Sequence, residues 1–403
     1  MTAASTALTT RTAMAFSCVG HTYSHLFIPI FFILVPLALE QQLNLTHGET
    51  VALIVAGNMM FGFAAPVAGW LADRWSTVGM MAIFYLGTGI GMIMVGLSDT
   101  TFSIALWLAV TGTFASIYHP VGIAWLVRIS DKTGTTLGIN GIFGGLGPAL
   151  AAAITGALVA TIGWRAAYVV PGAVVFGTGI LFVFCLLRGW IVENNKDRKP
   201  PPPPASRRDT IRVFVILAFT VICGGLIYQA TGPALPKAFA VSFVDGEHGI
   251  ALVSTLIGIV YVASGLMQVI GGRMADTYPP RRIYLWCFLL QVPVLVLAGM
   301  IDGGPFVAIA ILMVCLNSSC LPAENMLIAR YTPVHRRSLV YGLKFVLGIG
   351  VASLGVLMEG MLFDMTGDFF ALFVTMAAII GAGAVAIMML PVEQPQAIAQ
   401  PAE

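Results

Sequence analysis

One short polar loop occurs twice in this chain, about half the chain length apart. The first copy reads Gly69-Trp-Leu-Ala-Asp-Arg74 and the second reads Gly272-Arg-Met-Ala-Asp-Thr277, in a sequence of 403 residues. Each copy follows one long apolar run and precedes another. A repeat of this kind indicates a duplicated membrane unit, which is typical of secondary transporters. The chain is therefore predicted to fold as two related halves.

The segments around these loops are almost entirely apolar. Hydrophobic residues make up 58% of the sequence and charged residues 9%, whereas soluble domains carry about 25% charged residues. Because such a chain cannot cover a water-facing surface of its own size, its surroundings must be mostly lipid. Polar residues, glycines and prolines divide it into segments of about 20 residues or more, long enough to cross a bilayer. We predict twelve spans, near residues 13–39, 49–72, 78–97, 101–128, 134–162, 166–190, 211–239, 248–273, 282–301, 305–329, 338–363 and 368–391.

The longest polar stretch lies between the sixth and seventh spans and contains five consecutive prolines at 200–204. Its composition predicts an extended or disordered linker. We expect an N-terminal six-helix bundle over residues 1–192, a cytoplasmic Pro-rich linker over 193–210 and a C-terminal six-helix bundle over 211–403.

Basic residues predict the orientation. With the amino terminus in the cytoplasm, 17 of the 20 Lys and Arg residues fall in or beside cytoplasmic loops, and cytoplasmic loops are where basic residues accumulate. Arg165 and Lys237 fall on the outer side, and Lys344 falls within a span. We therefore predict twelve helices with both termini in the cytoplasm.

The repeated loop carries a family resemblance. In the major facilitator superfamily the loop between helices 2 and 3 reads Gly-x-Leu-Ala-Asp-Arg-x-Gly-Arg-Arg, and the chain resembles this superfamily over about residues 10 to 392. The resemblance implies an all-α integral membrane protein whose twelve transmembrane helices form two pseudo-symmetric six-helix bundles. It also implies a gating role for the matching residues of the two copies. These are Gly69, Asp73 and Arg74 in the first, and Gly272, Asp276 and Arg281 in the second.

Two histidine-containing segments narrow the resemblance. His21-Thr-Tyr-Ser-His25 lies on helix 1, and Tyr118-His119-Pro-Val-Gly122 lies on helix 4. Both resemble the fosmidomycin-resistance-like group, whose second segment reads Phe-His-Pro-Glu-Gly/Ala, although Val121 stands where that group has glutamate. This resemblance implies export of a small anionic or toxic compound.

Polar residues inside the spans are the candidate site, because each is costly in hydrocarbon unless it faces a partner or a wet cavity. In the superfamily, helices 1, 4, 7 and 10 line the central cavity. The candidates for substrate or proton handling are His21 and His25 on helix 1, His119 on helix 4, Tyr228 and Gln229 on helix 7, Glu324 and Asn325 on helix 10, Asn140 on helix 5 and Lys344 on helix 11.

The histidines leave three interpretations open. His21 and His25 are four residues apart and share one helix face, and His21 and His119 both lie roughly 14 Å from the cytoplasmic edge at 1.5 Å per residue. A contact between their helices is therefore feasible. Histidine titrates near pH 6.5, which suits a proton relay, but the imidazoles could instead hydrogen-bond between helices. His21 and His25 could also form part of a metal site, which would need further ligands.

Glu324 and Lys344 form a second candidate group. Both should lie roughly 9–10 Å inside the cytoplasmic edge, on consecutive antiparallel helices, and pairing avoids the cost of an isolated buried ion. Their counterparts in the first half are Gly122 and Asn140. This asymmetry favours coupling or substrate binding over a structural salt bridge. Glu359 and Asp364, at the outer end of helix 11, are expected to be solvated.

Helix 5 is rich in glycine. This run resembles the Gly-Pro motif of superfamily antiporters, and tight helix packing is the alternative explanation. The residues are Gly138, Gly141, Gly144, Gly145, Gly147, Pro148 and Gly156.

We interpret the chain as a multi-pass transporter of the bacterial inner (plasma) membrane that works as a monomer by alternating access, with proton-coupled efflux of a small compound as the leading hypothesis. Import of a metal ion or small nutrient is the alternative, and a non-transporting membrane sensor or assembly factor is a further one. The expected partners are a small-molecule substrate, protons and the lipid bilayer, with no nucleic acid and no cofactor. No phosphate-binding Gly-x-x-x-x-Gly-Lys-Ser/Thr motif and no nucleophile–base pair is visible, so neither ATP use nor enzymatic activity is predicted.

Overall fold

The computed structural model describes residues 3–129, 133–191, 193, 207–244, 249–332 and 337–391. Within these residues the chain is helical, and twelve helices are long and apolar enough to cross a membrane, which confirms the predicted number. Numbered α1 to α12, they are Thr9–Leu43, His47–Arg74, Thr77–Gly96, Thr101–Leu126, Ile139–Thr161, Trp164–Leu187, Ile211–Phe243, Gly249–Thr277, Pro280–Ala298, Gly303–Tyr331, Leu339–Thr366 and Phe370–Met388.

The helix that contains α7 begins at Arg207, which lies inside the predicted linker. The five prolines of that linker lie outside the described residues.

Prolines interrupt the helices that carry candidate residues. In α4 the regular helix ends at Ala115 and is followed by a π-helical turn over Tyr118–Gly122. Pro120 lies in this turn, where it cannot donate a backbone hydrogen bond and where its ring would clash with the carbonyl four residues earlier. Pro322 accompanies the equivalent break in α10, between Ser319 and Leu321. These breaks place His119 and Glu324 beside irregular backbone, where functional sites are common.

Two hydrophobic cores account for most of the buried apolar side chains. One is built almost entirely from residues between 13 and 191, and the other almost entirely from residues between 213 and 390. Large apolar side chains on the outside, such as Phe102 and Leu187, are 75% and 81% exposed, as expected for a surface that faces lipid. The cores agree with two helical bundles, one in each half of the chain.

Small residues bring the two halves together. Gly145 of α5 packs on Gly265 of α8, where a Cβ at Gly145 would lie 3.0 Å from the Gly265 Cα. Gly48 of α2 likewise packs on Gly360 of α11. Such contacts let helix backbones approach closely. At the helix ends that the basic residues predict to face outward, residues 27–39 of α1 also pack on α7, so the halves are in contact there.

Candidate functional site

The structure brings His21, His25 and His119 into one cluster, which we call the histidine triad. The ring centroids lie 5.3 Å apart for His21 and His25, 5.3 Å for His21 and His119, and 5.0 Å for His25 and His119. One nitrogen of each ring lies within 4.8 Å of the other two. His21 and His119 were predicted to lie at a similar depth, and the structure shows the contact between helices 1 and 4 that this depth allows. Among the described residues, this group could hold a metal ion.

Asn140 connects the triad to the rest of the N-terminal half. The His21 Nδ1 lies 2.8 Å from the Asn140 backbone oxygen. The Asn140 side chain donates to the Tyr118 hydroxyl over 2.8 Å, and that hydroxyl donates to the Ser17 carbonyl over 2.7 Å. The Tyr118 ring also stacks on His21, with centroids 5.0 Å apart. This network fixes the position of the His21 ring.

Helix 5 supplies the space that these histidines occupy. A Cβ at Gly144 would overlap the His21 ring, and a Cβ at Gly147 would lie 2.7 Å from the His25 Cβ. Gly145, on another face of the same helix, packs on α8 of the other half. The glycines therefore serve close packing on two sides, one of which seats the triad.

His119 lies at the boundary between the halves. Its ring stacks on Phe345 of α11, with centroids 4.6 Å apart. Its side chain is buried, and its Nε2 has no hydrogen-bond partner within the described part of the chain. Hydrogen bonding between helices was one of the three interpretations of the histidines. His21 makes such a bond, but the Nε2 of His119 does not within the described residues.

Glu324 and Lys344 form the predicted ion pair, at 2.6 Å between Oε1 and Nζ. Tyr284 of α9 donates to the other oxygen of Glu324 over 2.8 Å, and Lys344 also donates to the Asn325 side-chain oxygen over 2.7 Å. Glu324 is 4% exposed. Phe345, the residue after Lys344, is the ring that stacks on His119. The ion pair and the triad are therefore neighbours across the interface between the halves.

The remaining candidates on α7 lie apart from this group. Tyr228 is 41% exposed and lines a small cavity within the C-terminal half, together with Tyr261 and Asn317. Gln229 is buried, and its amide points at Ser353 of α11 over 3.4 Å. Within the described part of the chain, no hydrogen bond or ring contact joins either residue to the triad or the ion pair.

The two copies of the repeated loop differ in their contacts. In the first, Asp73 pairs with Arg128 over 2.9 Å, and Arg74 lies over the Trp70 ring at 4.5 Å. A Cβ at Gly69 would lie 3.2 Å from Pro120, so this loop touches the break that carries His119.

In the second copy, Arg281 donates to the Met388 carbonyl over 2.8 Å, whereas Asp276 is exposed. Gly272 has open space where a Cβ would lie.

A group of charged residues at the predicted outer end was not among the sequence candidates. We call Glu40, His47, Lys237 and Glu359 the outer bridge. His47 contacts Glu40 through Nδ1 over 2.7 Å and Glu359 through Nε2 over 2.8 Å, and Lys237 contacts Glu40 over 2.5 Å. Glu40 and His47 belong to the first half, and Lys237 and Glu359 to the second. The bridge therefore joins the halves.

The expectation that Glu359 is solvated was wrong, because its side chain is 0% exposed. Asp364 is exposed as expected, but it accepts hydrogen bonds from the Gly48 amide over 3.1 Å and from the Thr46 hydroxyl over 2.7 Å. The sequence signal that could have indicated this group is the presence of charged residues near the ends of predicted spans in both halves.

Comparison with known proteins gives a consistent assignment. A family model described as "Major Facilitator Superfamily" matches residues 17–244 and 217–403. The chain is 23% identical over 275 residues to "Multidrug resistance protein MdtG" of Yersinia enterocolitica. The aligned region covers 67% of this chain and 65% of that protein. It is 27% identical over 235 residues to "Probable nitrate/nitrite antiporter NarK1" of Thermus thermophilus, covering 55% of this chain and 52% of that protein.

The fold has a counterpart among solved structures. A bacterial homologue of the human lysosomal transporter Spinster, solved in an inward-facing and unoccupied conformation, superimposes with a TM-score of 0.68 at 12% identity. The match covers 95% of both chains.

Proposed function

The chain belongs to the major facilitator superfamily, and from this premise we propose that it is a proton-coupled exporter of a small compound in a bacterial inner membrane. Membership makes it a multi-pass membrane transporter. The names of two similar proteins support the finer proposal, since one is called a multidrug resistance protein and the other a probable antiporter. Alternating access about a site between the halves is the working model.

The observation that carries proton coupling is the buried pair of Glu324 and Lys344. A proton on Glu324 would cancel its charge, break the pair and release the Lys344 ammonium. Tyr284 and Asn325 already hold the two side chains in place. The counterparts in the first half, Gly122 and Asn140, carry no charge, so the pair is not part of the duplicated scaffold. A group that changes the charge beside the interface between the halves can favour one orientation of the halves over the other.

We also propose the arrangement of the working unit. Residues 1–192 and 211–403 form the two bundles, 193–210 connects them, and one chain supplies a complete transporter with both termini in the cytoplasm. The resemblance to the fosmidomycin-resistance-like group belongs here as well, supported by the histidine segments of helices 1 and 4. In the first gating loop, the pair of Asp73 and Arg128 would hold the end of α4 in one orientation.

The test is a transport assay in liposomes with purified protein, an internal pH dye and a panel of small anionic, cationic and metal-ion solutes. A solute of the wild type should trigger a pH change, and Glu324→Gln should reduce that change at least tenfold. Asp302→Asn, an exposed carboxylate of an outer loop, is the matched control and should behave as the wild type. A pH change that persists in Glu324→Gln would place coupling elsewhere, and solute flux without any pH change would contradict coupling itself.

A second candidate function is import of a metal ion. The three neighbouring imidazoles favour it, because imidazole is a common ligand of transition metals. The direction of coupled flux would distinguish proton-driven import from export. In vesicles that are acidic inside, an antiporter accumulates the solute as protons leave, whereas a symporter drives the solute out with the protons.

A further inference from the structure

The histidine triad has the composition and spacing of a metal-binding site. We propose that His21, His25 and His119 bind a divalent transition-metal ion such as Zn²⁺, Co²⁺ or Ni²⁺, and that this ion is cargo of the transporter. The metal-binding part stands on geometry alone. The cargo part rests on the proposed transport function and names its substrate class.

The ligand set selects the class of ion. All three ligands are imidazole nitrogens, which suit zinc, nickel, copper and iron. The group formed by the described residues contains no carboxylate. Calcium and magnesium prefer oxygen ligands, so the triad does not match them.

The hydrogen bond to Asn140 leaves His21 ready to coordinate. A backbone oxygen can only accept, so the His21 Nδ1, 2.8 Å away, carries the proton. In the neutral ring the lone pair is then on Nε2. Metal-bound histidines usually donate their other N–H to a carbonyl or carboxylate in this way, which fixes the tautomer and the ring orientation.

His119 supplies the second indication. Its side chain is nine-tenths buried, and Nε2 has no hydrogen-bond partner in the described part of the chain. An unpaired polar atom in this position is costly. The two other imidazoles lie beside it, at centroid distances of 5.3 and 5.0 Å. A metal ion between the three rings would satisfy this nitrogen.

The distances are close to those that coordination requires. With Zn–N bonds of about 2.0–2.1 Å, the nitrogens of a tetrahedral site lie about 3.4 Å apart. The ligand atoms here are within 4.8 Å of one another, so small side-chain rotations bring the set to bonding distance. Three protein ligands leave the fourth position open to water or to a donor of the cargo. An open position suits an ion that must be released.

The position of the triad also suits a transported ion. All three ligands come from the first half, on α1 and α4, so relative movement of the halves leaves the set intact. Phe345 of the second half stacks on His119. Movement of α11 would therefore cover or uncover one ligand without breaking the site.

Metal binding can be measured directly. The full chain, freed of any oligohistidine tag, is dialysed against Zn²⁺ in detergent, and bound zinc is counted per chain. We expect one ion per wild-type chain, and at least tenfold weaker binding in His25→Gln and in His119→Gln. His47→Gln, which removes a histidine outside the triad, should retain the ion. Equal loss in the control variant, or no zinc in the wild type, would overturn the proposal.

A ligand replacement separates coordination from a structural role. Co²⁺ gives a visible spectrum that depends on its ligands, and His119→Cys substitutes a thiolate for an imidazole. The Co²⁺ spectrum of this variant should gain a thiolate-to-metal band if His119 coordinates. An unchanged spectrum from folded, monodisperse protein would remove His119 from the site.

The cargo part has its own test. Liposomes holding the wild type should move Zn²⁺ at least tenfold faster than liposomes holding His119→Gln. Zinc that binds but does not cross would overturn the cargo assignment. This outcome differs from a failure of proton coupling, because coupling is judged by Glu324→Gln in the pH assay and metal binding by the dialysis.

Discussion

Histidine occurs in two different surroundings in this protein. In the histidine triad the rings lie within one half, among the aromatic rings of Tyr118, Phe61 and Phe345. In the outer bridge a single ring, His47, lies between the carboxylates of Glu40 and Glu359 and joins the two halves. Each site combines buried and half-buried side chains, since His119, His47 and Glu359 are buried whereas His21, His25 and Glu40 are half-buried, so burial does not distinguish the sites. Their partners do.

The partners decide which nitrogens remain available. Both nitrogens of His47 contact carboxylate oxygens, over 2.7 and 2.8 Å, so neither is free to bind a metal ion. In the triad, His21 donates to a backbone oxygen, and the Nε2 of His119 has no partner within the described residues. The same side chain therefore serves as a connection between halves in one place and as a candidate ligand in the other.

Removal of Glu359 should have the largest effect on this contrast. Glu359→Leu takes one of the two carboxylates from His47 in a fully buried position. Loss of one partner of a buried charge pair costs roughly 3 kcal/mol or more, which corresponds to about a hundredfold change in an equilibrium. We expect the equilibrium between closed and open outer ends to shift toward the open state by about a hundredfold.

A buried reporter cysteine measures this change. Ile33 lies on α1 and packs into the core of the other half, at 1% exposure. In an Ile33→Cys background, labelling by a membrane-impermeant maleimide from the outside should become about a hundredfold faster with Glu359→Leu. The six native cysteines are buried, and the parent chain gives their background rate. Glu49→Gln, an exposed carboxylate at the start of α2, is the control. Equal labelling in Glu359→Leu and its parent would show that the outer bridge does not hold the halves.

Substitution of a histidine in each site should change one measurement and leave the other unchanged. The two measurements are cysteine labelling at the outer end and zinc binding. In His47→Gln both N–H donors lie on one nitrogen and the other end of the amide is an acceptor oxygen, so it cannot replace the two ring nitrogens that contact Glu40 and Glu359. We expect labelling at Ile33→Cys to become about tenfold faster, the change given by ~1.4 kcal/mol. His25→Gln should leave the labelling rate unchanged. Zinc binding should respond in the opposite way, with loss in His25→Gln and retention in His47→Gln.

Each variant is thus the control for the other. If His25→Gln opened the outer end as much as His47→Gln, the triad would be part of the same structural connection. The distinction between the two sites would then fail.

The sequence predicted much of the fold and part of the site. The twelve spans follow from the length of the apolar runs, and the approach of His21 to His119 follows from their equal depth on two helices. The pair of Glu324 and Lys344 could be predicted from the sequence for the same reason, because both residues lie at a similar depth on consecutive helices. Depth along a helix can be counted from the sequence, and side chains at one depth on neighbouring helices can meet.

The outer bridge could not be found in this way. His47 and Glu359 are 312 positions apart and belong to different halves, so their contact depends on how the bundles close on each other. Residues near a helix end were expected to reach water, yet Glu359 is covered by the opposite half. The glycines of helix 5 were likewise recognised as a packing feature, but only the packed structure shows that Gly144 and Gly147 face the two histidines of α1.

Asp364 gives the smallest effect and tests how far the outer bridge extends. Its carboxylate, on the last turn of α11, accepts from the Gly48 amide and the Thr46 hydroxyl at the start of α2. It therefore acts as a helix cap supplied by the other half, a contribution of about 1 kcal/mol. Asp364→Ala should accelerate labelling at Ile33→Cys by roughly fivefold, with Asp368→Ala in the adjacent loop as the control. An effect as large as that of Glu359→Leu would mean that this exposed cap, rather than the buried bridge of His47, holds the halves together.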